Sequence, residues 1–155
     1  MRLTMRTNLA MRTLMFCAVN EGRIVRKVEV AAACDASENH LAQVIHKLAQ
    51  AGFIRTLRGR TGGLQLRQTA ATIRVGEVVR AFEAGLPFTQ CLGGHESDAT
   101  EISAGISAGC PLAGCCRLKC AFADALEAFY ASLDRLTMAD LVQGNTGLDR
   151  LLKVA

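Results

Sequence analysis

Between residues 38 and 50 the apolar positions fall at Leu41, Val44, Ile45 and Leu48, and Asn39, His40, Gln43, His46, Lys47 and Gln50 lie between them. That spacing puts one apolar stripe on a helix and leaves the opposite face polar. Ser37 stands where an N-cap belongs, Glu38 lies in the first turn, and Gly52 marks the stop. Upstream, residues 8–20 read as a first helix carried by Leu9, Leu14, Phe16 and Val19, and ended by Glu21-Gly22-Arg23. Residues 24–33 read as a short helix, and Cys34-Asp35-Ala36 as the turn before the amphipathic one. Downstream, residues 53–57 and 64–67 carry short strand signals on either side of Arg58-Gly59-Arg60-Thr61-Gly62-Gly63. A further helix over residues 74–83 is marked by Val75, Val78, Val79 and Phe82.

Residues 84–109 then lose periodicity and become rich in Gly, Ser and Ala, a loop long enough to be unusual in a compact domain unless it has a task. After it, Leu118, Phe122, Leu126, Phe129, Leu133 and Leu136 recur at intervals of 4, 4, 3, 4 and 3. This is the seam of a long amphipathic helix, expected over residues 117–142. The last dozen residues offer only the weaker spacing of Leu148, Leu151 and Leu152.

Helix, short helix, turn, helix and a two-stranded hairpin with a basic tip is the order of a winged helix-turn-helix. The fold class expected is therefore mainly α with a small β-wing, followed by a long C-terminal dimerisation helix. Four segments follow: a winged domain at 1–83, a cysteine-bearing loop at 84–116, the helix at 117–142 and a tail at 143–155. A seam of that length beside a small winged domain has no obvious partner except a second copy. A homodimer also matches two half-sites of an imperfect palindrome in double-stranded DNA.

Charge sharpens this picture. Residues 1–80 hold thirteen Lys/Arg, mostly arginine, against five Asp/Glu, whereas residues 81–155 hold five against nine. A basic half joined to an acidic one suggests a module that meets a polyanion and another with a different task. On charge alone, a solvated basic face explains the numbers as well, and an anionic membrane surface explains them less well. With the turn and the basic wing added, DNA is the better reading. Ser37, Asn39, His40 and Gln43 then face base edges, and Arg58 and Arg60 grip phosphate or a minor groove. Half the residues are apolar, which permits a packed core, and aromatic residues at 5% are too few for base-stacking platforms. No stretch is apolar for long enough to span a membrane. The arginines among the first twenty residues resemble a presequence, but the apolar pattern runs on into an ordinary helix, so the segment is kept in the folded domain. No phosphate-binding glycine loop or nucleophile–base constellation suggests an enzyme.

The seven cysteines divide by position. Cys17 in the first helix and Cys34 in the turn read as core fillers. Cys110, Cys115, Cys116 and Cys120 cluster, and Cys91 stands across the loop. Disulfides fit poorly, because the count is odd and no secretory signal is visible; a cytoplasmic location is expected. Zinc usually takes two short Cys-bearing arms, and one dense arm is present here. Thiolates on a loop just before a helix also suit an iron–sulfur cluster, 2Fe–2S or 4Fe–4S. Spacing leaves zinc and iron–sulfur open.

A resemblance narrows the choice. The chain resembles the NsrR branch of the Rrf-two family, dimeric winged-helix transcription factors that sense through an iron–sulfur cluster. The stretches that carry it are Met1-Arg2-Leu3-Thr4, Arg12, Ser37-x-Asn39-His40, Leu48-x-x-Ala51-Gly52-Phe53 and Arg58-Gly59-x-x-Gly62-Gly63-x-x-Leu66. They continue with Ile73-Arg74-x-Gly76-x-Val78-Val79, Cys116-Arg117-Leu118-Lys119 and Thr137-x-Ala139-Asp140-Leu141, so that nearly the whole chain is covered. The resemblance implies that Cys91, Cys110 and Cys116 hold the cluster, and that nitric oxide, the signal, dismantles it and releases DNA. Lys119 stands where IscR-type relatives carry a ligating His. Asn8 stands where some relatives carry an Asp that ligates the partner's cluster, and a neutral amide is a poorer iron ligand than a carboxylate. The fourth ligand is thus open among Asn8, Cys120, His95, Cys115 and solvent, and Arg12, one turn from Asn8, is the candidate relay. The segment between Cys91 and Cys110 is also longer than the family pattern. Two alternatives remain: an iron- or cluster-status regulator of the same fold, and a transcription factor switched by zinc or thiol chemistry without a cluster.

Overall fold

In a computed structural model of the chain, residues 3–60, 62–84, 89, 112 and 115–154 are described. The chain runs α1 (Met5–Val19), α2 (Lys27–Cys34), α3 (Glu38–Gln50), β1 (Ile54–Leu57), β2 (Gly63–Leu66), α4 (Val75–Glu83), α5 (Arg117–Leu133), α6 (Met138–Val142) and α7 (Thr146–Leu152). This is the expected winged helix-turn-helix, mainly α with a two-stranded wing.

The central pillar is α1, which packs against α2, α3, α4, α6, α7 and β2. It buries Leu9, Ala10, Leu14, Phe16 and Cys17, and also Thr7 and Thr13. The buried Thr13 hydroxyl is satisfied by donating to the Leu9 carbonyl at 2.7 Å within the helix. The stripe read from the sequence is the buried face of α3: Leu41, Val44, Ile45 and Leu48 all lie in the core. The wing is antiparallel, with Ile54 opposite Leu66 and Leu57 opposite Gly63. Its tip requires glycine at two places. Gly59 has φ of 104°, and a Cβ on Gly62 would lie 2.3 Å from the Leu57 carbonyl oxygen.

Four boundaries differ from the sequence expectation, each through a contact with a distant or overlooked partner. The first helix starts at Met5 instead of residue 8, because Thr4 caps it and accepts from the Thr7 amide at 3.2 Å. The short helix starts at Lys27 instead of residue 24. Val25 is taken by the wing, where it exchanges backbone hydrogen bonds with Leu64 at 2.9 and 2.8 Å. The helix expected over 117–142 ends at Leu133. The Leu136 carbonyl accepts from the Val75 amide, and the Met138 amide donates to the Ile73 carbonyl, each at 2.9 Å. These bonds turn the chain back onto the winged domain and sink Met138 fully into its core. Finally, the segment expected as a tail is α7, held on α1 by Asn20. Its Nδ2 donates to the Leu152 carbonyl at 2.8 Å, and its Oδ1 accepts from the Val154 amide at 3.0 Å.

Candidate nucleic-acid interface and metal centre

The polar face of α3 is presented outward. Asn39, Gln43, His46, Lys47 and Gln50 are exposed and His40 is half-buried. Ser37 accepts from the His40 amide at 3.3 Å, which starts the helix and leaves its own hydroxyl proton free to donate. Gln43 is held from behind: Arg6 of α1 donates to its Oε1 at 3.4 Å, which turns the amide NH2 away from that contact. Lys27 of α2 pairs with Glu38 at 2.9 Å and ties the two helices of the motif together. Arg58 and Arg60 are exposed at the wing, with Arg55 fastened on the strand by its bond to Gln65 at 2.9 Å. The outward face thus collects amides, imidazoles and exposed guanidinium groups, the donor set for base edges and phosphate.

The turn ahead of α3 is controlled by α1. Asp35 ends α2 in the left-handed region at φ of 49°. One residue earlier, the Cys34 carbonyl accepts from Arg12 Nη1 at 3.3 Å. Arg12 and Cys34 also line a half-open cleft of about 260 Å³ with Met15, Ala33, Leu148 and Leu152. Arg12 therefore touches the corner of the helix-turn-helix. Asn8, one turn before it, is exposed.

Glu83 is the residue that sequence reasoning missed. It is 8% exposed at the last position of α4. Its Oε1 accepts from the Thr4 amide at 2.8 Å, from the Thr4 hydroxyl at 2.9 Å and from the Thr7 hydroxyl. Burial works against ionisation, but those bonds and the charge of Lys47 outweigh it and hold the carboxyl below its usual range. A carboxylate so placed supplies the acid that the first turn of α1 lacks. The only signal in the sequence was an acid at the end of an apolar helix opposite Thr4 and Thr7, a pairing that no local pattern shows.

The cysteines separate as expected on one side. Burial, together with nearby Cys34, pushes the Cys17 thiol up to about 12. Burial also raises Cys34, with Arg12 opposing. Both are protonated core thiols and poor metal ligands at neutral pH. On the other side, Cys116 is the N-cap of α5 and its side chain caps nothing. Cys115 and Cys120 are exposed. Cys91, Cys110 and His95 lie outside the described residues. Among the described residues no three His, Cys, Asp or Glu side chains come together as a metal site. Among the described residues the fit to a cluster therefore rests on Cys116, whose sulfur makes no capping hydrogen bond at the start of α5.

A basic-tipped wing beside an outward polar helix defines a winged helix-turn-helix protein of the DNA-binding class. The family model for Rrf2, described as an iron-dependent transcriptional regulator, matches residues 3–144. The chain belongs to the Rrf2 family and is a transcriptional regulator. It is 38% identical over 154 residues to the HTH-type transcriptional regulator NsrR of Geobacillus kaustophilus, covering 99% of this chain and 97% of that protein. The fold is also that of T. potens IscR, with a TM-score of 0.68 at 20% identity over 100% of this chain and 93% of that one. The oxidised form of Staphylococcus aureus CymR superposes with a TM-score of 0.66 at 24% identity, over 92% and 97% of the two chains.

Proposed function

We propose that this protein is a cytoplasmic, dimeric repressor that binds an imperfect palindromic operator and releases it when nitric oxide destroys an iron–sulfur cluster held by Cys91, Cys110 and Cys116. The observation that carries this reading is Cys116 standing uncommitted at the N-cap of α5, in a chain that matches an NsrR regulator along its full length. When bound, such a cluster supplies iron that nitric oxide attacks. Asn8 and Cys120 are the alternative fourth ligands, and both side chains are exposed.

The chain's own residues supply the readout. Ser37, Asn39, His40 and Gln43 face base edges from the start of α3, and Arg58 and Arg60 anchor the wing. Arg12 and Arg6 reach from α1 to the turn and to Gln43, so a shift of α1 alters the placement of α3. Affinity for the operator then depends on the state of the loop through a coupling free energy between the two sites.

Two observations favour other readings. The family description as iron-dependent supports iron or cluster supply as the signal. Exposed Cys115 and Cys120 beside Cys116 support zinc binding or thiol switching. Anaerobic purification with iron, sulfide and zinc counts separates them. The expected result is a brown protein with iron and sulfide, which Cys116→Ser loses while retaining its fold. A colourless, zinc-bearing protein, or an iron content untouched by Cys116→Ser, contradicts the proposal.

A further inference from the structure

The helix that begins at Cys116 is fastened to the winged domain at its far end. No side chain of α5 is fully buried over its 17 residues. Phe129, Tyr130 and Leu133, all in its last turns, pack against the core. Leu118 near its start is 57% exposed.

At the fastened end, several directional contacts converge on one residue. Asp134, the C-cap of α5, accepts from Arg80 of α4 through both oxygens: Nη1 to Oδ1 at 2.7 Å and Nη2 to Oδ2 at 2.6 Å. The same guanidinium lies 4.5 Å from the ring centre of Tyr130, one turn back in α5. Arg74, the cap of α4, donates to the Asp134 carbonyl at 2.6 Å. Gly76 provides the space, since a Cβ there would lie 2.0 Å from Asp134 Oδ1 and 3.1 Å from its backbone nitrogen. A forked, two-point contact between planar groups sets an angle as well as a distance, and stacking on Tyr130 fixes the plane of the fork. An apolar contact alone would let the two helices rock.

The angle matters because α5 is long. Seventeen residues span about 26 Å, so a tilt of ~10° at Asp134 displaces the Cys116 end by ~4–5 Å, and the reverse holds for a displacement at Cys116. We propose that Arg80 and Asp134, seated on Gly76, are positioning residues that fix the angle between α5 and the winged domain, and through it the distance between the two α3 helices of a dimer. The proposal rests on the reading of α5 as the dimer helix and α3 as the base-reading helix.

The test uses the full chain and a set of palindromic duplexes whose half-sites are moved apart one base pair at a time, with a single half-site duplex as control. Wild-type affinity peaks at one spacing and falls about tenfold beside it, a loss comparable to a mismatched base pair. Arg80→Gln and Asp134→Asn keep the dimer and the half-site affinity but flatten the spacing profile to within about threefold. Arg80→Lys, which preserves charge without the fork, falls between them and serves if Arg80→Gln does not fold. A spacing profile in these variants as sharp as the wild type's, with only a lower melting temperature, overturns the positioning role alone. A wild-type protein that is monomeric or indifferent to spacing overturns the dimer reading and this role together.

Discussion

Glu83 shows how one side chain joins three parts of the molecule. Its carboxylate holds the cap of α1 through Thr4 and Thr7, it ends α4, and it feels the charge of Lys47 on α3. Because its folded pKa lies below the ordinary value of 4.5, its stabilisation is present above that value and is lost as pH falls through the folded pKa. Glu83→Gln should cost about 1–3 kcal/mol at neutral pH, with the difference from wild type shrinking as the pH drops below the ordinary carboxyl range. Denaturant titrations across pH check this, and a constant difference down to pH ~3 would contradict it. At the wing the expectation is the opposite kind. Arg58→Ala should leave the melting temperature alone, weaken DNA binding and reduce the slope of log affinity against log salt by ~1. An unchanged slope would remove Arg58 from the phosphate contacts. At this scale the sequence was most legible where the determinant was local. Ser37 reads as an N-cap because its partner, the His40 amide, is three residues away. Glu83 does not, because Thr4 is 79 residues away.

Among the elements, α3 and the wing were legible for the same reason. A stripe at helical spacing and a Gly–Arg tip declare themselves within a dozen residues, and the stripe is the face the core covers. The two sides of α3 should respond differently to substitution. Leu48→Ala should cost about 2–5 kcal/mol of stability by opening a cavity. Gln43→Ala should leave stability nearly unchanged and shift base preference by about 1–3 kcal/mol at one position in each half-site. Selection from randomised duplexes with a melting curve for each variant reads both, and an unaltered preference for Gln43→Ala would take it out of the base-reading set. Val25, Leu136 and α7 were illegible because their structure is settled by partners remote in sequence. Val25 leaves a helical pattern to pair with Leu64, and the Leu136 carbonyl is claimed by Val75. The regular seam of α5 runs on to Leu136 in the sequence, but the fork of Arg80 and the bonds to Ile73 and Val75 stop the helix at Leu133.

For the whole molecule, the winged domain and the helix that begins at Cys116 form one connected body. Arg12 links α1 to the turn before α3, Glu83 links the end of α4 to α1, and Asp134 links the end of α5 to α4. Arg6, which reaches Gln43 from α1, adds a fourth link to the DNA-facing helix. That arrangement suits a regulator whose DNA affinity follows the state of a site some distance away. The candidate ligands were legible as a cluster of Cys in the sequence, yet of the three implied cluster ligands only Cys116 lies within the described residues.

The most direct measurement is operator affinity followed by fluorescence anisotropy while nitric oxide is added anaerobically to the iron-loaded protein, with the visible spectrum recorded in the same cuvette. The account predicts that colour and DNA binding are lost together at a few nitric oxide per cluster, with affinity falling at least about a hundredfold, a coupling of roughly 3 kcal/mol. Bleaching that leaves operator affinity unchanged, or DNA release with the spectrum intact, would contradict it.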